Sequence, residues 1–230
     1  PARVYDPWHR YYKAPAWLAA LVERGVLGQK TRAGVFRKDG RQIKVLDLAT
    51  QDYRDADATV APEVAALLAE RDPAIQLAAL RASAHPQAQF LWSIYRDVFH
   101  YVAVHLADVA HSARDIDFAM RWGFGWKVGP FETWQGAGWQ QVAGWLNEDI
   151  AAGRTMSDVP LPAWVFERTG VHEAAGSWSA SSGTLEARSA LPVHERQLFP
   201  ELVLGESARA SHTIWENDEV RLWTLDDADG

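Results

Sequence analysis

Five stretches of this chain hold residue types that can do chemistry, and their spacing decides what each can do. "GFGWKVG", Gly123 to Gly129, gathers glycines as a phosphate-cradling loop would. Its spacing is Gly-x-Gly-x-x-x-Gly after a helical pattern, whereas a dinucleotide fingerprint is Gly-x-Gly-x-x-Gly after a strand, so a nucleotide cradle is not expected here. "VHERQ", from Val193, lacks the second histidine of a zincin, which argues against metal-assisted hydrolysis. His100 and His105 stand five apart on a helical run, turned to different faces, and read as ordinary hydrogen-bonded histidines. "GSWSASSG", from Gly176, is not the Gly-x-Ser-x-Gly of a nucleophile elbow, and its composition suits a flexible loop. Arg96, closing "SIYR" on the same helical run, can meet a substrate, but a paired structural role is the preferred reading.

The elements that must hold these residues follow from composition and periodicity. With 230 residues, 48% hydrophobic and 23% charged, the chain can bury the core of one large or two small domains. A net charge of −7 without a strong basic cluster gives no reason to expect nucleic acid as a partner. The absence of cysteine rules out disulfides and thiolate metal sites and suits a reducing cytoplasm, where the protein is expected. No apolar run approaches the roughly 20 residues of a membrane span, and "PARVYDPWHR" lacks a signal-peptide core. The chain opens on Pro1 and ends on "TLDDADG", a strand-like run entering a turn, so a piece of a longer polypeptide is expected.

"PAWLAALVERG" predicts a short helix with Pro15 in its first turn, Leu18, Leu21 and Val22 on one face, and Gly25 as its stop. "VFRKDGRQIKVLDL" predicts a hairpin whose Asp39-Gly40 pair suits a type I′ turn. Two helices divided by Asp72-Pro73 are expected from Ala61 to Ala84. From Ala88 to Ala110 a long helix carries the stripe Leu91, Tyr95, Val98, Val102, Leu106 and Val109, widened by Trp92, Phe99 and Ala103.

Ser112, with Asp115 three residues on, can cap a further helix whose inner face is Ile116, Ala119, Met120 and Gly123, with Gly123 as its stop. Gly129-Pro130 restarts a helix with Glu132 in its first turn and Phe131, Trp134 and Gly138 inward. This predicts a helix–loop–helix corner whose aromatic side chains, Trp126 among them, fill the core in preference to touching a ligand.

An internal repeat links "PAWLAALVERGV", from Pro15, with "PAWVFERTGV", from Pro162. Each copy runs on into a glycine-bearing, strand-like segment, as two copies of one small unit would.

The pattern filled by Asp115, Asp117, Gly123, Gly125, Gly129, Pro130, Phe131 and Glu132 resembles the C-terminal helical domain of 3-hydroxyacyl-CoA dehydrogenases. "LGQKTRAGVF", with Gly28, Lys30, Thr31 and Gly34, is similar to the signature that closes the same domain. "HTIWENDEVRLWTLDD", from His212, is similar to the first hairpin of an enoyl-CoA hydratase/isomerase fold, which follows in one arrangement of multifunctional β-oxidation proteins. The resemblance implies a mainly α fold of such C-terminal-like helical domains, with a β-hairpin and a short C-terminal strand segment. Residues 1–55 would end a first copy, 56–84 form a helical linker, 85–205 a second copy, and 206–230 a linker into the next domain. The motif residues are expected to be architectural, and no catalytic, cofactor-binding or metal-binding residue is assigned.

In that family NAD is held by a Rossmann domain that also supplies a catalytic His–Glu pair, and neither is expected in these residues. Two departures stand out: Gln135 where an acid is usual, and Val35-Phe36 where the signature ends in Phe-Tyr. Lys30, Arg32, Arg37 and Lys38 can meet CoA phosphates, although solvated hairpin charges are the preferred reading. Two functions stay open. One is a fragment of an NAD-dependent dehydrogenase that covers an acyl-CoA and is inactive alone; the other is a non-catalytic module for dimerisation and for joining enzyme domains.

Overall fold

An N-capping proline and a glycine with positive φ delimit the first helix, α1 (Ala16–Glu23), where Pro15 has φ −65° and Gly25 φ +70°. The computed structural model describes residues 6–56, 59–173, 175–187, 213–217 and 221–223. These residues form eight α-helices and three small antiparallel sheets, a mainly α chain, divided between the units Pro1–Pro62 and Glu63–Gly230.

In the first unit α1 leads through a loop into the sheet β1 (Phe36–Asp39), β2 (Gln42–Leu46) and β3 (Tyr53–Asp55). The β1–β2 register pairs Asp39 with Gln42, which makes Gly40 and Arg41 the turn residues, not Asp39 and Gly40. Gly40 alone of the two has positive φ, the pattern of a type II′ turn, and the expected type I′ turn is corrected by that one-residue shift. Of the expected inner face of α1 only Leu21 is buried, while Leu18 and Val22 are exposed.

The second unit begins with α2 (Pro62–Ala69) and α3 (Pro73–Ala82), separated at Asp72, whose carboxylate accepts from Ala74 N at 2.9 Å. The long helix α4 (Pro86–Val109) follows, then α5 (Ala113–Phe124), α6 (Pro130–Gly136), α7 (Trp139–Ala151) and α8 (Ala163–Glu167). A second meander, β4 (His172–Glu173), β5 (Gly176–Ser179) and β6 (Thr184–Glu186), comes next. A separate hairpin, β7 (Thr213–Glu216) and β8 (Arg221–Trp223), falls in the segment compared with a hydratase start.

The core joins α4, α6, α7 and α8. Trp134 stacks on Trp139 at 4.3 Å and on Phe99 at 5.5 Å, and both indole N–H groups find carbonyls, Trp139 O at 2.9 Å and Val165 O at 2.8 Å. Buried indoles need such partners.

The buried stripe of α4 is Ala88, Trp92, Phe99, Ala103 and Leu106, a rotation of the expected stripe toward its aromatic edge that leaves Val109 exposed. The widest rings set the rotation because they carry the most area out of water. On α5 the buried residues are Ala113, Asp117 and Phe118; of the expected face Ile116 packs against the core, while Ala119 and Gly123 are exposed. The polar Asp117 points inward, and apolar periodicity cannot foresee that. α5 also outruns its expected stop. Gly123 stays helical, and the terminating residue is Gly125 at φ +71°, whose N–H reaches Arg121 O at 3.1 Å. Gly138, expected inside α6, caps α7 at φ +94°. "GSWSASSG", expected as a loop, begins with the strand β5, three of whose four residues are buried.

Candidate functional site

The aromatic corner is organised around one buried carboxylate. Asp117, fully buried on α5, accepts from Phe131 N at 2.8 Å and Glu132 N at 3.0 Å and so caps α6 from a neighbouring helix. The Asp side chain meets the positive end of α6 where its amides lack intrahelical partners. Gly129 makes the approach possible: a Cβ there would fall 2.3 Å from Asp117 Cβ. Glu132 turns back onto Gly129 N at 2.8 Å and faces Arg121 at 3.5 Å. Asp115 serves the other end of α5, accepting from Ser112 N at 2.9 Å.

A third group closes on Asp117. His172 Nε2 lies 2.7 Å from Asp117 Oδ2, and His172 Nδ1 lies 2.9 Å from Ser177 Oγ. With Asp117 ionised, Nε2 carries the hydrogen, and neutral imidazole then accepts the Ser177 hydroxyl at Nδ1. Gln135 fixes the same strand three times, accepting from Val171 N at 2.8 Å and His172 N at 2.9 Å and donating to His172 O at 2.9 Å. The usual acid at this position could accept both amides but could not donate to the carbonyl, which gives the glutamine a local reason.

The Ser177–His172–Asp117 order resembles a hydrolytic triad, but all three side chains are buried, and both Asp117 oxygens hold backbone amides. A nucleophile must reach a substrate carbonyl. This arrangement locks β4 and β5 to the α5–α6 corner. Burial pushes the Asp117 carboxyl above its ordinary range, against the pull of the His172 hydrogen bond and charge and of the two α6 amides. Burial also raises Glu132, opposed first by Gly129 N–H.

In "GFGWKVG", Gly125 N–H is bonded to Arg121 O and Gly129 N–H to Glu132 Oε2. The tryptophans of the α5–α6 corner divide. Trp134 is core, but Trp122 is 74% exposed and stacks on Phe118 at 4.5 Å. Trp126, expected in the core, is half-buried at a cavity of about 370 Å³ shared with Arg71, Tyr95, Lys127 and Glu132.

Arg96 lies in a second cavity of about 320 Å³ with Arg81, Arg154 and buried Asp149. Its guanidinium is 2.7 Å from Asp97 and 3.9 Å from Asp149, the paired role preferred from sequence. Asp149, which sequence reasoning missed, also accepts from Trp92 Nε1 at 3.0 Å. His100 Nε2 faces Val159 O at 2.7 Å, and burial lowers its pKa from the ordinary value of 6.5. The His105 ring lies 4.5 Å from that of Tyr101, tilted by 44°, and no group of three or more metal-ligating side chains occurs among the described residues. "VHERQ" lies outside the described residues.

In the first unit the residues of the second motif make a turn. Gly28 has φ +108°, and the Thr31 hydroxyl accepts from Leu27 N at 2.8 Å and sits 3.1 Å from both Gly28 O and Ala33 O. Gly34 crowds Gly28, where a Cβ would come within 2.8 Å of its Cα. Lys30 is exposed on the same turn. Arg32, Arg37 and Lys38 border a cavity of about 750 Å³, and Arg37 also lies over the Tyr53 ring at 4.1 Å.

Among curated proteins the chain is similar to "Probable 3-hydroxyacyl-CoA dehydrogenase" of Bacillus subtilis (strain 168), 31% identical over 156 residues. The similarity is to one segment of that protein. The match covers 68% of this chain and 19% of that protein. Proteins of Rickettsia felis and Rickettsia prowazekii, named as fatty acid oxidation complex trifunctional enzymes, are 25% and 24% identical over 170 and 173 residues. These matches cover 70% and 71% of this chain and 21% of each relative, so the chain spans about a fifth of the length of the curated relatives it matches. No family model matches the chain, and no solved structure matches it. No helix among the described residues is long and apolar enough to cross a membrane.

Proposed function

We propose that this chain is the helical, substrate-covering part of an NAD-dependent 3-hydroxyacyl-CoA dehydrogenase of fatty-acid oxidation, working in a reducing compartment such as the cytoplasm. Its motif residues are architectural: Asp117, Gly129 and Glu132 hold the α5–α6 corner, and Gly28, Thr31 and Gly34 hold the turn of an earlier copy of the same unit. NAD binding and hydride transfer belong to another domain of the parent polypeptide, since the glycine N–H groups here are already bonded within the chain. The observation that carries the reading is that the Asp115–Glu132 pattern, the basis of the resemblance, closes on itself as a buried joint in a chain similar to a protein that bears the dehydrogenase name. The test is NADH consumption with acetoacetyl-CoA. The parent polypeptide is expected to turn over and the 230-residue chain alone not; turnover by the isolated chain would refute the reading.

A second reading, a module for dimerisation and for joining enzyme domains, is favoured by Trp122 and Phe124, 74% and 76% exposed at the end of α5. Large exposed apolar surface marks association sites. Sedimentation of the chain and of Trp122→Ser distinguishes the two: a dimer abolished by the substitution, with no activity in the parent, supports the module.

A further inference from the structure

The two copies of the Pro-Ala-Trp unit differ in what covers them. In the second copy Trp164 lies between Trp139 at 6.0 Å and Trp178 at 6.2 Å, and Trp139 Nε1 reaches Val165 O at 2.8 Å. Val165 and Val171 are fully buried in the core, and Trp178 packs against it. The helices of this unit therefore seat α8 and its meander through one apolar face.

The first copy has the same order of parts. Pro15-Ala16-Trp17 opens α1, Leu18 stands where Val165 does, and Val26 follows Gly25 as Val171 follows Gly170. A glycine that tolerates no Cβ stands at the start of each hairpin, Gly34 just before β1 against Gly28 and Gly176 as the first residue of β5 against Glu186 O. Two residues beyond it stand Phe36 and Trp178. Each hairpin turns on a glycine of positive φ, Gly40 and Gly183. Burial, however, is opposite: Leu18 is 36% exposed against 0% for Val165, and Phe36 is 61% exposed. Phe36 and Ile43 border the cavity of about 750 Å³.

We infer that this face of the first unit docks onto a helical body of the α4–α7 kind, carried by the parent polypeptide outside these 230 residues. The matched segment is about a fifth of each relative's length, so polypeptides of this type have room for such a body. A second copy of this chain does not supply it, because the equivalent face of its own α4–α7 is already filled by α8 and the β4–β6 meander. The inference rests on the repeat and on burial, not on the dehydrogenase reading.

The chain has no cysteine, so an introduced thiol is a clean probe in it. Phe36→Cys and Ile43→Cys are placed singly, with Leu48→Cys as a control at another exposed position of the unit. Alkylation rates are followed by mass spectrometry of the tagged peptide, in the 230-residue chain and in the parent polypeptide. In the chain alone, F36C and I43C are expected to react as fast as L48C. In the parent, F36C and I43C should slow about tenfold or more, as thiols that must wait for local opening, while L48C is unchanged. Equal reactivity in the parent overturns the inference. Protection already present in the 230-residue chain also overturns it, assigning the face to a second copy if it grows with concentration and to the chain's own second unit if it does not. The NADH assay is read separately, so a parent that protects F36C yet lacks activity sinks only the dehydrogenase reading.

Discussion

Gly129→Ala puts one methyl group into the joint between α5 and α6. Its Cβ would stand 2.3 Å from Asp117 Cβ and 2.4 Å from both Cγ and Oδ1, so α6 or Asp117 must move. Gly129 has φ −74°, a backbone that alanine adopts freely, which offsets the cost by about 0.5–1 kcal/mol through the unfolded chain. Overpacking costs about 1–3 kcal/mol, and weakening two hydrogen bonds to a carboxylate, each contributing about 1.5–3 kcal/mol, adds a similar amount. The expected net loss is about 3 kcal/mol. Gly123→Ala in the same motif should do the opposite: nothing lies within 4 Å of its Cβ, and the helical position gains about 0.5–1 kcal/mol. Urea unfolding at constant slope reads both. A Gly129→Ala variant within about 0.5 kcal/mol of the parent, the ordinary scatter of a surface substitution, would refute the joint.

Trp134→Ala should cost about 3–5 kcal/mol and Trp126→Ala clearly less, because only the former is fully enclosed; equal shifts in calorimetry would contradict this ranking. His172→Gln leaves Asp117 buried without its imidazole partner, for a loss of about 3 kcal/mol at neutral pH. The carboxyl, already raised from 3.8 by burial, would then rise further. The folded variant holds a proton that the unfolded chain releases, so its deficit should grow as pH increases from about 4 toward 7 and shrink in acid. For His100 the sign is reversed. Its lowered pKa means that the unfolded chain binds the proton first, so stability falls as pH drops below 6.5, and His100→Asn should flatten that slope in pH-dependent urea titrations.

Helix existence was readable where punctuation was chemical: Pro15, Asp72-Pro73, the Ser112–Asp115 pair and Gly129-Pro130 each mark a real boundary. Helix faces were read less well. Apolar spacing on α5 points to Ile116, which does pack against the core, and to Met120, but the deepest side chain is the charged Asp117, whose partners Phe131 N and His172 lie 14 and 55 positions away. No local pattern carries that pairing. Glycines misled for a related reason, since sequence marks Gly123 and Gly125 as equal breakers and only φ distinguishes them. Arg96 is paired with Asp97, while Asp149 and Gln135 become legible only with their contacts.

Under the proposed function Asp117 and His172 position a helix and move no proton in turnover. The pH profile of NADH-linked turnover by the parent polypeptide, wild type against His172→Gln, tests this most directly. With rates normalised to folded protein, the two profiles should keep the same limbs and similar heights. Loss of a limb, or a drop in kcat of about 100-fold or more, the size expected for removing a general acid or base, in a fully folded variant would contradict it.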